Sequence, residues 1–299
     1  MALQDLISLI SLLLIILIVL WAFIAYSIVY RVLKTKQQSN LKIKTIDAIA
    51  LHFLNPNAVH ITENKKWLKQ KQAKNHYWLI ASVFLKVNNV LLTAEANSLK
   101  TMATDSGVIP LISKDLKSVL WYKKAKAIMF CYEFGLNEYI NSITPYRNHK
   151  NVLVRREAQI ALVVLLGWKS LKLFPYIEYP ISLWQQIRII EKLKQYHPIA
   201  QEKYLQKALM TKNPYVKELL IRIIRTFKLE VYKYYIIKQL YTKDVFLVES
   251  ALVTLSSFQL NKYEIEEIAT SASNIIATKL RIKTLSFLNN QRIALTQSL

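Results

Sequence analysis

Apolar residues are arranged along this chain in two different ways. From Leu6 to Tyr30 the stretch "LISLISLLLIILIVLWAFIAYSIVY" contains no charge, and serine is its only small polar interruption. Its 25 residues exceed the roughly 20 that a helix needs to cross the hydrocarbon core of a bilayer. Trp21, Tyr26 and Tyr30 lie toward its C-terminal end, where aromatic rings favour the headgroup region. A cleaved signal peptide would want basic residues ahead of a shorter apolar run and small residues at its close. "MALQD" carries no basic side chain and bulky residues end the run, so the pattern predicts a retained transmembrane anchor over residues 1–30.

Beyond residue 30 the apolar positions become periodic. Val216, Leu219, Leu220, Ile223, Ile224 and Phe227 fall three and four apart, as do Val248, Ala251, Leu252, Leu255 and Phe258. That spacing is the stripe of an amphipathic helix facing a core. Second amphipathic segments lie between the stripes: "IAQEKYLQKALM", "EVYKYYIIKQLY" and "KYEIEEIATSAS". The stripes themselves recur. Val154, in "VLVRREAQIALVVLLGW", aligns with Val216, 62 positions on; Val248 follows after 32 more and Leu280 after another 32. "SLWQQIRIIEKLKQY" fills the gap between the first two, and in the other direction Glu95 and Ala96 align with Glu157 and Ala158. A fixed period, here about 31 residues, marks stacked supersecondary units. Asn213-Pro214 reads as an N-cap followed by the first helical position.

Residues 154–167 resemble the HEAT-repeat family in its short bacterial form, whose first helix in each pair reads V-R-x-x-A-x-x-A-L-x-x-L-G. Val154, Arg155, Ala158, Ala161, Leu162, Leu165 and Gly167 fall on that pattern. The later copies keep the apolar positions but lose most of the small residues and the glycine, and residues 41–90 show no clear copy. The resemblance covers roughly residues 90–290 and implies a stack of helix pairs that presents one row of helices to a partner. The family is broad, so it implies binding surfaces rather than one activity. On the helix itself, Ala158 is expected in the core stripe between Val154 and Leu162, with Gln159, one position round, turned away from it. The expected fold is all-α: one N-terminal transmembrane helix (1–30), a basic juxtamembrane helical segment (31–89), and a HEAT-like α-solenoid of helix pairs with a period of about 31 residues (90–299).

Composition narrows the chemistry. The chain has 3 glycines, at 107, 135 and 167, where average usage of about 7% would give roughly 20. No G-x-G-x-x-G and no G-x-x-x-x-G-K-[ST] occurs, which excludes nucleotide chemistry built on those loops. The single cysteine, Cys131 in "AIMFCYEF", permits no intrachain disulfide or Cys-based zinc site and reads as a small core residue. His52, His60, His76, His149 and His197 share no i, i+4 spacing, and the acidic cluster "EIEE" at 264–267 reads as a solvated helix face. No catalytic constellation, cofactor, metal site or small-molecule substrate is identified, and the expectation is a protein that is not an enzyme.

Charge then places the chain. The formal net charge is +22. After the apolar stretch come Arg31, Lys34, Lys36, Lys42 and Lys44, with no acid until Asp47; before it there is only Asp5. The positive-inside rule predicts a single-pass protein of the inner (cytoplasmic) membrane, N-terminus outside and repeat domain in the cytoplasm. "NKKWLKQKQAKNHYWL" adds Lys65, Lys66 and Lys69, then Lys71 and Lys74, with Trp67, Tyr77 and Trp78 interleaved. Basic and aromatic residues together suit a nucleic-acid groove and equally an anionic lipid surface. Because the segment follows the anchor by about thirty-five residues, the lipid surface is favoured, and a nucleic-acid-binding helical-repeat protein is the alternative. The functional expectation is a membrane-tethered cytoplasmic scaffold or adaptor for a partner protein. Resemblance to single-span bacterial repeat proteins implies a membrane-bound envelope-biosynthesis enzyme, such as a glycosyltransferase, as the partner class.

Overall fold

The computed structural model describes residues 2–54, 76–91, 93–274 and 278–297. Among the described residues the chain is all-helical, with 14 α-helices, short 3-10 turns and no strand. It divides into two compact units, Met1–Asp115 and Leu116–Leu299.

The first unit holds α1 (Ala2–Leu54), α2 (Tyr77–Asn88), α3 (Thr93–Asp105) and α4 (Val108–Leu116), whose last residue begins the second unit. The apolar stretch and the basic residues after it are one uninterrupted helix, α1. Its large apolar side chains from Leu12 to Leu33 are exposed, long enough and apolar enough to cross a membrane and with none of that stretch buried. A buried stripe appears only at Leu41, Thr45, Ala48 and Ile49, and these turns pack on α2 beside Ile80, Ala81, Val83 and Phe84. Arg31, Lys34, Lys36, Lys42 and Lys44 are exposed along α1. Tyr77 and Trp78 do not join them as surface aromatics. Tyr77 Oη and Trp78 Nε1 both donate to Asp115 Oδ2, the second at 2.9 Å. Asp115 is buried, and a buried carboxylate needs such donors. Lys65, Lys66 and Lys69, with Trp67, lie outside the described residues.

In the second unit, helices start at equal intervals. α5 (Trp121–Glu133), α7 (Val152–Leu166), α8 (Leu183–Tyr196), α10 (Pro214–Thr226) and α12 (Val245–Leu255) begin 31 residues apart. Each packs on the one before and the one after, and α14 (Thr278–Gln297) packs on α12. Shorter pieces lie between them: α6 (Ile140–Ile143) with its flanking 3-10 turns, the 3-10 segment Gly167–Tyr176, α9 (Glu202–Ala208), α11 (Lys233–Lys238) and α13 (Lys262–Asn274). α9 packs on Gly167–Tyr176 and α13 on α11, forming a second row against the first. Side-chain hydrogen bonds between neighbours keep the same interval. Tyr146 Oη donates to the Leu116 carbonyl, 30 residues away, and Trp168 Nε1 to the His197 carbonyl, 29 away. Gln186 Nε2 donates to Glu218, 32 away, and Tyr232 Oη to the Glu202 carbonyl, 30 away.

α7 is the centre of this packing. Asn151 Oδ1 caps it by accepting from the Leu153 and Val154 amides, which satisfies two of the donors a helix start leaves open. Val154, Ala158, Ala161 and Leu162 are buried, Leu165 is partly buried, and Gly167 ends the helix at φ 57°. Arg155 is buried too, its guanidinium 4.1 Å from the Tyr179 ring centre and donating to the His149 carbonyl at 2.8 Å. Although Val152–Tyr176 is long and apolar enough for a membrane span, 67% of its most apolar window is buried inside the protein. One sequence expectation fails here. Gln159 does not face away from the core: it is 2% exposed, donates to the Arg147 carbonyl at 2.9 Å and accepts from Gln185 Nε2. With helices packed on both sides of α7 and a second row behind it, no full face of the helix is left for solvent.

Two helix ends share a device that the residue types conceal. α5 closes with Leu136 N bonded to the Cys131 carbonyl and Gly135 N to that of Tyr132. α10 closes identically, with Leu229 N on Ile224 and Lys228 N on Arg225. Gly135 adopts φ 65° and Lys228 φ 52°, the left-handed conformation this closure requires.

Candidate interaction surface

Along the first row, polar side chains reach from helix to helix. Glu157 of α7 is buried and accepts from Tyr132 Oη of α5 at 3.0 Å and from Arg156 Nη2 at 3.0 Å, with Arg188 Nη1 of α8 at 3.7 Å. Burial first, and then the Glu157 carboxylate, push the Tyr132 phenol well above its ordinary range, so it stays a donor. Lys192 of α8 pairs with Glu133 of α5 at 3.1 Å and lies 5.2 Å from the Tyr196 ring centre. Glu218 of α10 accepts from Gln186 Nε2 of α8 at 2.8 Å and from Arg222 Nη2 at 2.7 Å. Arg225, one turn further on α10, is half-buried, and burial followed by the charge of Arg222 lowers its pKa from the usual arginine value. Lys283 of α14 reaches Glu249 of α12 at 2.9 Å.

Each of Glu133, Glu157 and Glu218 is already engaged by a cation. Arg156, Arg188, Lys192, Arg222 and Arg225 outnumber them, which leaves the row with a positive excess.

The remaining candidate groups are occupied by packing. Cys131 is buried, its thiol pushed up to about 12 by burial and then by Glu138. His197 Nε2 meets the Val164 carbonyl at 2.9 Å, and His149 Nδ1 accepts from the Asn151 amide at 3.0 Å. Burial, and then Lys124, lower the His149 pKa from its ordinary value, which favours the neutral acceptor. Glu264 and Asn261 form a reciprocal cap on α13, with the Asn261 amide donating to Glu264 at 2.7 Å and the Glu264 amide to Asn261 at 2.8 Å. Among the described residues no group of three or more His, Cys, Asp or Glu is placed to hold a metal ion.

The seven residues singled out by resemblance all lie on α7 and its end, where they build the core rather than a surface; the exposed basic residues singled out by charge lie on α1. Sequence reasoning missed the Tyr132–Glu157–Arg188 cluster. Its signal was available, because Arg188 and Glu157 are one period apart. No protein-family model matches the chain, and no curated protein matches it.

Proposed function

We propose that this protein is a membrane-tethered scaffold. α1 crosses the inner membrane once and leaves the second unit in the cytoplasm, where it acts as a HEAT-like α-solenoid that holds a partner protein against its first row of helices. The observation that carries the reading is α1 itself. One helix is bare and apolar over Leu12–Tyr30 and then, without a break, buries Leu41, Thr45, Ala48 and Ile49 in the core of the first unit. A retained anchor that positions a folded domain needs that continuity; a leader to be removed does not. The exposed Arg31, Lys34, Lys36, Lys42 and Lys44 sit where basic residues favour the cytoplasmic leaflet. The 31-residue interval between helix starts supports the solenoid reading.

The partner's chemistry follows from the row described above. Five cations along the row, against three carboxylates that are already paired, favour a protein surface of mixed but mainly acidic character. A membrane-bound enzyme of envelope biosynthesis is the partner class this reading proposes.

Two measurements test it. A reporter that works only in the cytoplasm, fused after Leu299, is expected to be active; activity of an extracytoplasmic reporter there would overturn the orientation. Full-length protein taken from native membranes in mild detergent should retain a partner that the Arg188→Ala/Arg225→Ala variant loses while its helical content is unchanged. Equal retention by both forms would remove the first row as the binding surface.

A further inference from the structure

The starts of the first-row helices share a feature that folding alone does not demand. At the first two helical positions stand Trp121-Tyr122, Val152-Leu153, Leu183-Trp184, Pro214-Tyr215 and Val245-Phe246. The first residue of four of these pairs is an exposed large apolar side chain, and in the other the exposed residue is Tyr215. Just ahead of α5, Val119 is 99% exposed and Leu120 is exposed beside it; at α8, Trp184 is 68% exposed.

These starts form one edge. The Tyr146–Leu116 bond joins the approach to α7 with that to α5. Asn148 Nδ2 donates to the Tyr176 carbonyl at 2.8 Å, and the Glu178 amide to Asn148 Oδ1, joining the approaches to α7 and α8. Asn213 Nδ2 donates to the Ile177 carbonyl at 2.9 Å, and the Tyr215 and Phe246 rings stack 5.3 Å apart, which carries the edge through α10 to α12.

Charge distinguishes this edge from the opposite one. Exposed Lys117, Lys150, Lys212 and Lys243 precede the helix starts, against Glu178 and Asp244. Lys150, Lys212 and Lys243 stand at the same place in their units, directly before the N-cap positions Asn151, Asn213 and Asp244. The positive ends of the helix dipoles point the same way. At the opposite edge, where the second-row pieces begin, Lys203, Lys228, Lys233 and Lys262 stand with Glu138, Glu202, Glu230 and Glu264, so the two signs balance.

We infer that the edge formed by these helix starts is a second membrane-contact site, which lies against an anionic bilayer surface with its tryptophans and tyrosines at headgroup depth and its lysines on lipid phosphates. Aromatic and apolar side chains ringed by lysine fit that boundary, where apolar burial and attraction to anionic lipid act together. The inference rests on the tethered reading, because a single-span anchor keeps a bilayer within constant reach of the unit.

The test uses the full-length chain reconstituted into vesicles, with an environment-sensitive fluorophore on Val119→Cys, Leu183→Cys or, at the opposite edge, Val231→Cys, which is 73% exposed in the native protein. Buried Cys131 stays unlabelled in the folded protein. On phosphatidylcholine vesicles containing phosphatidylglycerol, the labels at 119 and 183 are expected to shift to the blue and be quenched by nitroxide lipids, while the label at 231 remains aqueous. Quenching should fall on pure phosphatidylcholine and in the Lys150→Glu/Lys212→Glu/Lys243→Glu variant. Flotation of the same samples reports the anchor separately. Floating protein whose labels at 119 and 183 stay aqueous would overturn the edge contact and leave the tether standing. Protein that fails to float would overturn the tether, and the edge inference with it. Labels that become buried only when a membrane extract supplies protein would assign the edge to a protein partner and overturn the lipid reading.

Discussion

Gly167→Ala is expected to lower the unfolding midpoint of the full-length protein in detergent far more than Gly135→Ala. Both glycines end first-row helices at positive φ, but their surroundings differ. Gly167 combines φ 57° with ψ −138°, a region that L-residues rarely enter. A Cβ there would meet the His197 ring at 2.7 Å, whereas a Cβ on Gly135 meets nothing within 4 Å. His197 has little room to yield: its Nε2 is bonded to the Val164 carbonyl, and its own carbonyl accepts from Trp168. Backbone strain alone costs about 1–3 kcal/mol, and overpacking against a fixed ring adds about 1–3 kcal/mol. For Gly135→Ala only a left-handed residue is introduced, at about 1–2 kcal/mol. Lys228 already bears a side chain at the equivalent position of α10, so Lys228→Gly should stabilise slightly. His197→Ala in the Gly167→Ala background should recover the contact part of the loss and not the strain. Equal midpoints for the two glycine variants would show that the His197 contact is absent in solution.

How much of this was legible in the sequence depends on what each residue answers to. The apolar stretch of α1 and the helical stripes were legible because burial or bilayer contact selects side chains directly. The interval was also legible, though not its register. Aligning Val216 with Val248 gave a step of 32, whereas helix starts at Pro214 and Val245 put Leu247 in that place, and Leu247 is fully buried. Val248 is buried as well, so hydrophobicity does not distinguish adjacent core positions on a helix surrounded by neighbours. The same crowding hid Gln159. An amide looks like a surface residue until its partners, Arg147 and Gln185, are brought to it from other helices. Tyr77 and Trp78 were misjudged for a related reason: their lysine neighbours in sequence suggested a surface, while Asp115, 38 and 37 residues away, determines where they turn. Lys228 in the left-handed conformation left no trace at all, because the residue type argues against it.

Ala158→Phe carries the second large effect, and it tests the register of the unit's centre. Ala158 is fully buried on α7, one turn after Val154 and one turn before Leu162, and Ala161 shares the same burial. α5, which packs on α7, carries buried alanines of its own, Ala125 and Ala127. Close approach, with axes about 8–10 Å apart, depends on such residues. A phenyl group at fully buried 158 must displace a packed neighbour, at a typical cost of about 1–3 kcal/mol. Val152→Phe, on an exposed turn of the same helix, should change the midpoint little. Gln159→Leu supplies a contrasting case, because it strands the Arg147 carbonyl and the Gln185 amide with little added volume, and an unsatisfied buried group costs about 1–3 kcal/mol. In a stack of neighbour contacts the damage should spread. Hydrogen exchange in Ala158→Phe is expected to rise in α5 and α8, on either side of α7, before it rises in α12. If Ala158→Phe melted with the native protein while Val152→Phe did not, α7 would be rotated from the position its buried stripe assigns, and the helix starts 31 residues apart would no longer describe a common packing register.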